Sequence, residues 1–236
     1  MQNHKYNLKK KGWSVLKSKK LHEIKLLRDN FINDITENKK NVLISSKKIE
    51  KIETLRKIVN KLNDSSLNSI RKKYLKKFSE NIIKIFSHEL ISIFGKNLLI
   101  QKYPQIQVHV GKKNSTKTFP HCEIMAGHSP YTYNIWIPFH DVTDKSGIFL
   151  IDDSLSVKFC DSEIKKNIKD REKLLSNKMF FPKIKFGEAL IFNPFVYHGS
   201  IYHKSEYARI SVDARFQSMN KPLFQKYNDF FKTIQL

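Results

Sequence analysis

Cysteine, glycine and long apolar runs are what this chain of 236 residues has least of. Two cysteines, Cys122 and Cys160, are too few for a disulfide framework or a Cys-rich zinc site. Glycine numbers seven, and the first half of the chain has no Gly-rich loop of the kind that cradles phosphates. No internal repeat is visible. The opening stretch MQNHKYNLKKKGWSVLKSKK holds no apolar run long enough for a signal peptide. No later run reaches the roughly 18 apolar residues that a membrane span needs. The expectation is a cytoplasmic protein with no membrane span.

Acidic residues are also in the minority, 22 against 44 Lys+Arg, for a formal net charge of +22. The excess is uneven: residues 1–100 hold 24 basic and 9 acidic side chains, leaving 20 and 13 for the remainder. Such a field can attract phosphates on nucleic acid or on an anionic membrane. Lys, Ile and Asn are abundant while Arg, Ala and Gly are scarce, a bias that an AT-rich genome imposes whatever the function. Nucleic acid is therefore not the expected partner. A hydrophobic content of 40% with 12% aromatics indicates a folded chain, long enough for one domain with a helical extension. Oligomeric state stays open.

Residues 1–20 have only Trp13, Val15 and Leu16 to bury and read as a basic arm or a weakly docked first turn. Residues 21–236 read as a single domain. Its helical part, 21–95, shows apolar stripes at helical spacing: Ile24, Leu27, Phe31 and Ile35, then Ile52, Leu55, Val59 and Leu62. The cluster Asn63-Asp64-Ser65-Ser66 supplies a stop and an N-cap, after which Tyr74, Phe78, Ile82, Phe86 and Leu90 carry a helix to Gly95. From 96 to 217 the pattern turns to strands at Leu98–Ile100, Gln105–Val110, Tyr133–Pro138, Ile148–Ile151, Ala189–Phe192 and Ala208–Phe216, as in a barrel or sandwich. Within an insertion at 153–182, charged Asp161–Lys178 reads as a helical lid. The tail, 218–236, reads as a C-terminal helix. Helices first and strands later give a mostly β, α+β architecture with helices braced against one sheet.

Chemistry concentrates in Phe119–Pro138, FPHCEIMAGHSPYTYNIWIP. In an extended segment alternate side chains share a face, so His121 and Glu123 point the same way and Cys122 the other. A third ligand must come from elsewhere, and His198 in FNPFVYHGS, 75 residues past Glu123, is the best candidate. Two histidines and one carboxylate with open positions beside them suit ferrous iron. Eleven residues further, ARISVDARF alternates so that Arg209, Ser211, Asp213 and Arg215 share one face, with Ile210, Val212, Ala214 and Phe216 on the other. A strand with two arginines on its polar face is ready to hold a carboxylate. Each piece alone is weak; the conjunction carries the reading. Gly187 and Gly199 fit tight turns.

His-x-Glu, a distal His and Arg-x-Ser eleven residues beyond it resemble the signature of the Fe(II)/2-oxoglutarate-dependent dioxygenases. YNIWIPFHDVTDKSGIFLID, FGEALIFNPFVYHGS and ARISVDARF are similar to the streptomycin-biosynthesis StrG-type branch and more loosely to phytanoyl-CoA dioxygenases, over roughly Tyr103–Gln217. Most members carry Asp where this chain has Glu123; the clavaminate-synthase-like branch has Glu there. The resemblance implies a double-stranded β-helix, and Fe(II) held by the catalytic residues His121, Glu123 and His198. Beside the iron it implies 2-oxoglutarate and O2. Arg209 would fork onto the far carboxylate of the oxo acid, with Ser211 as an added donor. Asn134 is a candidate co-substrate contact, and Arg215 either pairs with Asp213 or stands in for Arg209. His128, His140 and His203 compete as ligands, but none completes the spacing to Arg209. The implied reaction oxidises a C–H bond of a small polar metabolite and releases succinate and CO2. A nucleic-acid- or protein-modifying oxygenase, a metal-free basic binding protein and a zinc hydrolase are the alternatives. The last leaves the arginine without a task.

Overall fold

The computed structural model describes residues 3–37, 52–74, 80–110, 118–143, 147–152, 156, 176–200 and 206–236. The helical part holds α2 (Leu21–Glu37), α3 (Ile52–Val59), α4 (Asp64–Tyr74), α5 (Glu80–Lys84) and α6 (Ser87–Phe94). Asn63 caps α4 as its sequence position suggests, its Oδ1 accepting the Ser66 N–H at 2.8 Å. The single helix expected from Tyr74 to Gly95 is instead divided. α5 and α6 are separated at Ile85 and Phe86, and α6 stops where Gly95 takes φ 87° and donates its N–H to the Ile91 carbonyl. Phe78, and residues 161–175 of the expected lid, lie outside the described residues; Ser176–Lys178 form one 3-10 turn.

Strands β2 (Asn97–Gln101), β3 (Gln105–His109), β4 (Tyr133–Pro138), β5 (Phe149–Ile151), β6 (Glu188–Phe192) and β8 (Arg209–Ser218) fall where the short β-branched and aromatic runs placed them. Together with β1 (Trp13–Lys17) and β9 (Phe231–Gln235), most of them form one antiparallel sheet ordered β1-β6-β4-β8-β2-β9, with β3 also on β8. β5 and β7 (Tyr197–Gly199) form a second, two-stranded sheet.

Two expectations are corrected. Residues 1–20 are not a loose arm: α1 (His4–Lys11) leads into β1, which pairs with β6 from Trp13↔Phe192 to Lys17↔Glu188. Few apolar side chains suffice because each is fully used. Leu16 is buried in the main core, while Trp13 stacks on Phe180 at 5.2 Å and donates to Asp152 at 3.0 Å. The tail is not a helix either. β9 pairs with β2 along five residues and thereby covers an edge whose backbone groups would otherwise be unpaired.

The larger sheet separates two environments. One face carries Ile135, Ile137, Ile191, Ile210, Val212, Ala214 and Phe216 against helical residues such as Ile24, Phe31, Leu55 and Leu90. The other face turns Trp136, Leu190 and Phe192 toward Ile148, Leu150 and Val196. β8 is buried nearly throughout because it is covered on both sides, so its polar face looks inward, where a site can be kept dry.

Candidate functional site

His121 and His198 meet through their backbones before their rings. The His121 N–H donates to the His198 carbonyl at 2.9 Å and the His121 carbonyl accepts the His198 N–H at 2.8 Å, an isolated antiparallel bridge that sets the ring centres 4.4 Å apart. Each Nδ1 lies on a carbonyl, His121 on Phe119 at 2.8 Å and His198 on Val196 at 3.0 Å. A carbonyl only accepts, so in an uncharged ring Nδ1 carries the proton and Nε2 keeps its lone pair. Both Nε2 atoms face Glu123 Oε1, from 3.9 Å and 3.6 Å. One ligand atom from each of His121, Glu123 and His198 lies within 4.8 Å of the others, a spacing that one metal ion can bridge.

The route to that convergence differs from the expected extended segment. Glu123 sits in a turn, its carbonyl accepting from Ala126 and His128, and Gly127 takes φ 80° within it. Three donors hold its buried carboxylate: Arg215 Nε on Oε2 at 2.9 Å, Arg215 Nη2 on Oε1 at 3.0 Å, and Asn134 Nδ2 on Oε1 at 2.7 Å. A carboxylate offers about four lone-pair positions; two of these bonds fall on Oε1 and one on Oε2, so the position left is on Oε2. Burial pushes Glu123 upward, but Arg215 and His198 outweigh it and hold the group well below the usual carboxylate range. His121 is lowered to about 4 by burial and by the neighbouring His198. At neutral pH the centre therefore offers one anion and a neutral His121 ring, the protonation states a cation needs.

Asn134 and Arg215 thus sit on Glu123 itself, whereas the sequence suggested the co-substrate for both. The alternative pairing of Arg215 with Asp213 is present too, at 3.7 Å. Gln101 Oε1 takes the Arg215 backbone N–H at 3.1 Å and Nη1 at 3.2 Å, which fixes the guanidinium plane. Burial opposes the charge on Arg215, yet Asp213 and Glu123 raise its pKa. Asp213 is itself raised, by burial.

Arg209 lies at the other end of β8 and lines the same cavity, of about 170 Å³, as the triad. It is 2% exposed, faces the Trp136 ring at 5.4 Å, donates from Nη2 to Ser200 Oγ at 3.3 Å, and is lowered to about 9 by burial. His109, directly across from it in the β3–β8 register, contacts Ser200 Oγ at 3.3 Å and Thr118 Oγ1 at 3.4 Å. Ser211 shares the Arg209 face, and its fully buried hydroxyl has no hydrogen-bond partner among the described residues. A buried guanidinium beside an unsatisfied hydroxyl fits a small carboxylate.

Among the competing histidines, His140 is structural: its Nε2 accepts the Ile210 N–H at 3.1 Å and its Nδ1 lies on the Asp141 carbonyl. His128 comes within 3.3 Å of Glu123 Oε2, the oxygen turned from the other two rings, and is lowered to about 4 by burial and by Arg215. His203 lies outside the described residues. Gly187, with φ 96°, is a turn glycine, whereas Gly199 serves a close approach, since a Cβ there would meet Thr118 O at 2.9 Å and the Phe149 ring at 3.0 Å. Sequence reasoning passed over His109 and Gln101. The first had a signal in QIQVHV, whose alternation turns Gln105, Gln107 and His109 to the cavity. Gln101 had none.

No family model and no curated protein matches this sequence. Solved structures do. SnoK, a non-heme alpha ketoglutarate dependent carbocyclase from nogalamycin biosynthesis, aligns with a TM-score of 0.58 at 11% identity, over 100% of this chain and 96% of its own. ThoJ, a non-heme monooxygenase in its apo form, aligns with a TM-score of 0.58 at 10% identity, over 92% of this chain and 77% of its own. EctD from S. alaskensis with bound Fe gives 0.55 at 13%, over 95% and 79%. At these identities the likeness is one of fold: the chain is a double-stranded β-helix with flanking helices, built like non-heme oxygenases that use iron and 2-oxoglutarate.

Proposed function

We propose that this chain is an Fe(II)- and 2-oxoglutarate-dependent oxygenase that oxidises a C–H bond of a small polar metabolite and releases succinate and CO2. The observation that carries the reading is the convergence of His121, Glu123 and His198 in the cavity that also holds buried Arg209. His121, Glu123 and His198 would hold the iron. Bound there, ferrous iron with 2-oxoglutarate and O2 supplies the oxidising chemistry. The protein's own contribution is positional. Val196 and Phe119 fix the ring tautomers, Arg215 and Asn134 keep Glu123 ionised and aimed, and Arg209 with Ser211 would take the far carboxylate of the oxo acid. Trp136, Ile148 and Phe192 wall the space and exclude water.

A small metabolite is favoured over nucleic acid because the triad lies in a cavity of about 170 Å³. The likeness of the sequence to the StrG-type branch points the same way. Anaerobic titration tests the proposal: Fe(II) plus 2-oxoglutarate should give a weak visible charge-transfer band that His198→Ala abolishes. Absence of both that band and substrate-independent succinate formation would overturn it.

A further inference from the structure

A second cavity, of about 570 Å³ against about 170 Å³ at the triad, opens between α1, the end of α6, the turn at Pro130 and Tyr131 with the start of β4, and the end of β8 with the chain after it, a size in the range of small-molecule sites. We propose that it is a second binding site, for a nucleoside phosphate.

Its cations are three lysines. Lys5 and Lys9 stand one turn apart on α1, whose sequence HKYNLKKK contains no acidic residue. Like charges at that spacing repel, and Lys5 in the first turn also opposes the helix dipole. Lys221 joins them from the far wall. None of the three forms an ion pair with a carboxylate among the described residues. A phosphate dianion between them would relieve this repulsion, as a local rule broken without structural gain suggests.

The remaining wall is aromatic. Tyr131 is 37% exposed, with Lys221 Nζ 5.8 Å from its ring centre, so a ring face and a cation adjoin. Tyr133 is held in place by Phe94 at 4.7 Å and Phe216 at 6.1 Å. A bare phosphate would leave these rings unused, and an uncharged aromatic compound would leave the lysines unneutralised. A phosphate carrying a flat ring uses both. The site is separate from the triad: Tyr133 packs on the helical side of β4, while the next residue, Asn134, reaches Glu123 on the other.

Fluorescence anisotropy with a ribose-labelled AMP as probe tests this. Saturable binding is expected, competed at least tenfold better by AMP than by inorganic phosphate or adenosine. Lys5→Ala with Lys9→Ala should weaken it at least tenfold and Tyr131→Ala about fivefold, with His198→Ala unchanged. Lys221→Gln, at an exposed position, gives an independent arm should the double variant not fold, and should weaken binding about threefold. No saturation at millimolar probe, equal competition by phosphate alone, or wild-type affinity in the lysine and tyrosine variants would each overturn the proposal. So would loss in His198→Ala, which would move the ligand to the triad, or much tighter binding of a single-stranded oligonucleotide.

Discussion

Arg215 grips both oxygens of Glu123, Nε to Oε2 at 2.9 Å and Nη2 to Oε1 at 3.0 Å, with both side chains buried. Removing one partner of such a pair leaves a buried charge uncompensated, at a cost of about 3–5 kcal/mol. Arg215→Leu should lower the urea midpoint accordingly, and Arg215→Lys, which keeps the charge but not the fork, should lower it less. A wild-type midpoint for Arg215→Leu would mean that the pair does not hold Glu123 in solution.

Acid should destabilise the metal-free protein through its histidines before it reaches the carboxylates. The His121 and His128 rings are both held down to about 4, against 6.5 for an unperturbed ring. Between those values the unfolded chain binds protons that the folded chain refuses, so stability present above pH 6.5 is lost as pH falls toward 4. Glu123, also lowered, adds a loss of the same sign further down. Urea midpoints measured from pH 7 to pH 4.5 should fall, and His128→Gln should flatten part of the slope. A flat profile would contradict the buried, neutral rings.

Arg209→Lys tests the carboxylate grip. Lysine retains a charge but cannot present two parallel donors, so the apparent requirement for 2-oxoglutarate should rise at least tenfold while metal binding by the triad is unchanged. An unaltered requirement, read from succinate release at varied 2-oxoglutarate, would reassign the role.

Gly199→Ala tests how closely the small sheet is packed beside the centre. Its Cβ would lie 2.9 Å from the Thr118 carbonyl and 3.0 Å from the Phe149 ring, one of them backbone that cannot rotate away. Overpacking of this kind costs about 1–3 kcal/mol. Because His198 is the preceding residue, metal affinity measured by calorimetry should weaken together with stability. Tight binding in a destabilised variant would show that the bridge to His121 absorbs the strain.

Much of the fold was legible because periodicity is a local property. Tyr133–Pro138 is rich in β-branched and aromatic residues between turn-forming ones and is a strand over the same six residues. ARISVDARF announced which of its side chains would meet the helices, and Val212, Ala214 and Phe216 do. β1 and β9 were missed because neither has enough apolar residues to declare itself. Both exist because a neighbouring strand offers an open edge, and an edge is not written in the segment that fills it.

The sequence alone determined the types of the residues that converge, their order and the strand that carries both arginines, since residue identity and the two-residue repeat of a strand need no partner to be read. Only the tertiary structure decided which arginine holds Glu123. The β4–β8 register sets Asn134 opposite Arg215, and both side chains converge on Glu123. Arg209, six residues earlier on the same face, is thereby left beside His109 and Ser200. Register is set by distant backbone hydrogen bonds and by turns such as the one at Glu123, and no local pattern encodes that long-range choice.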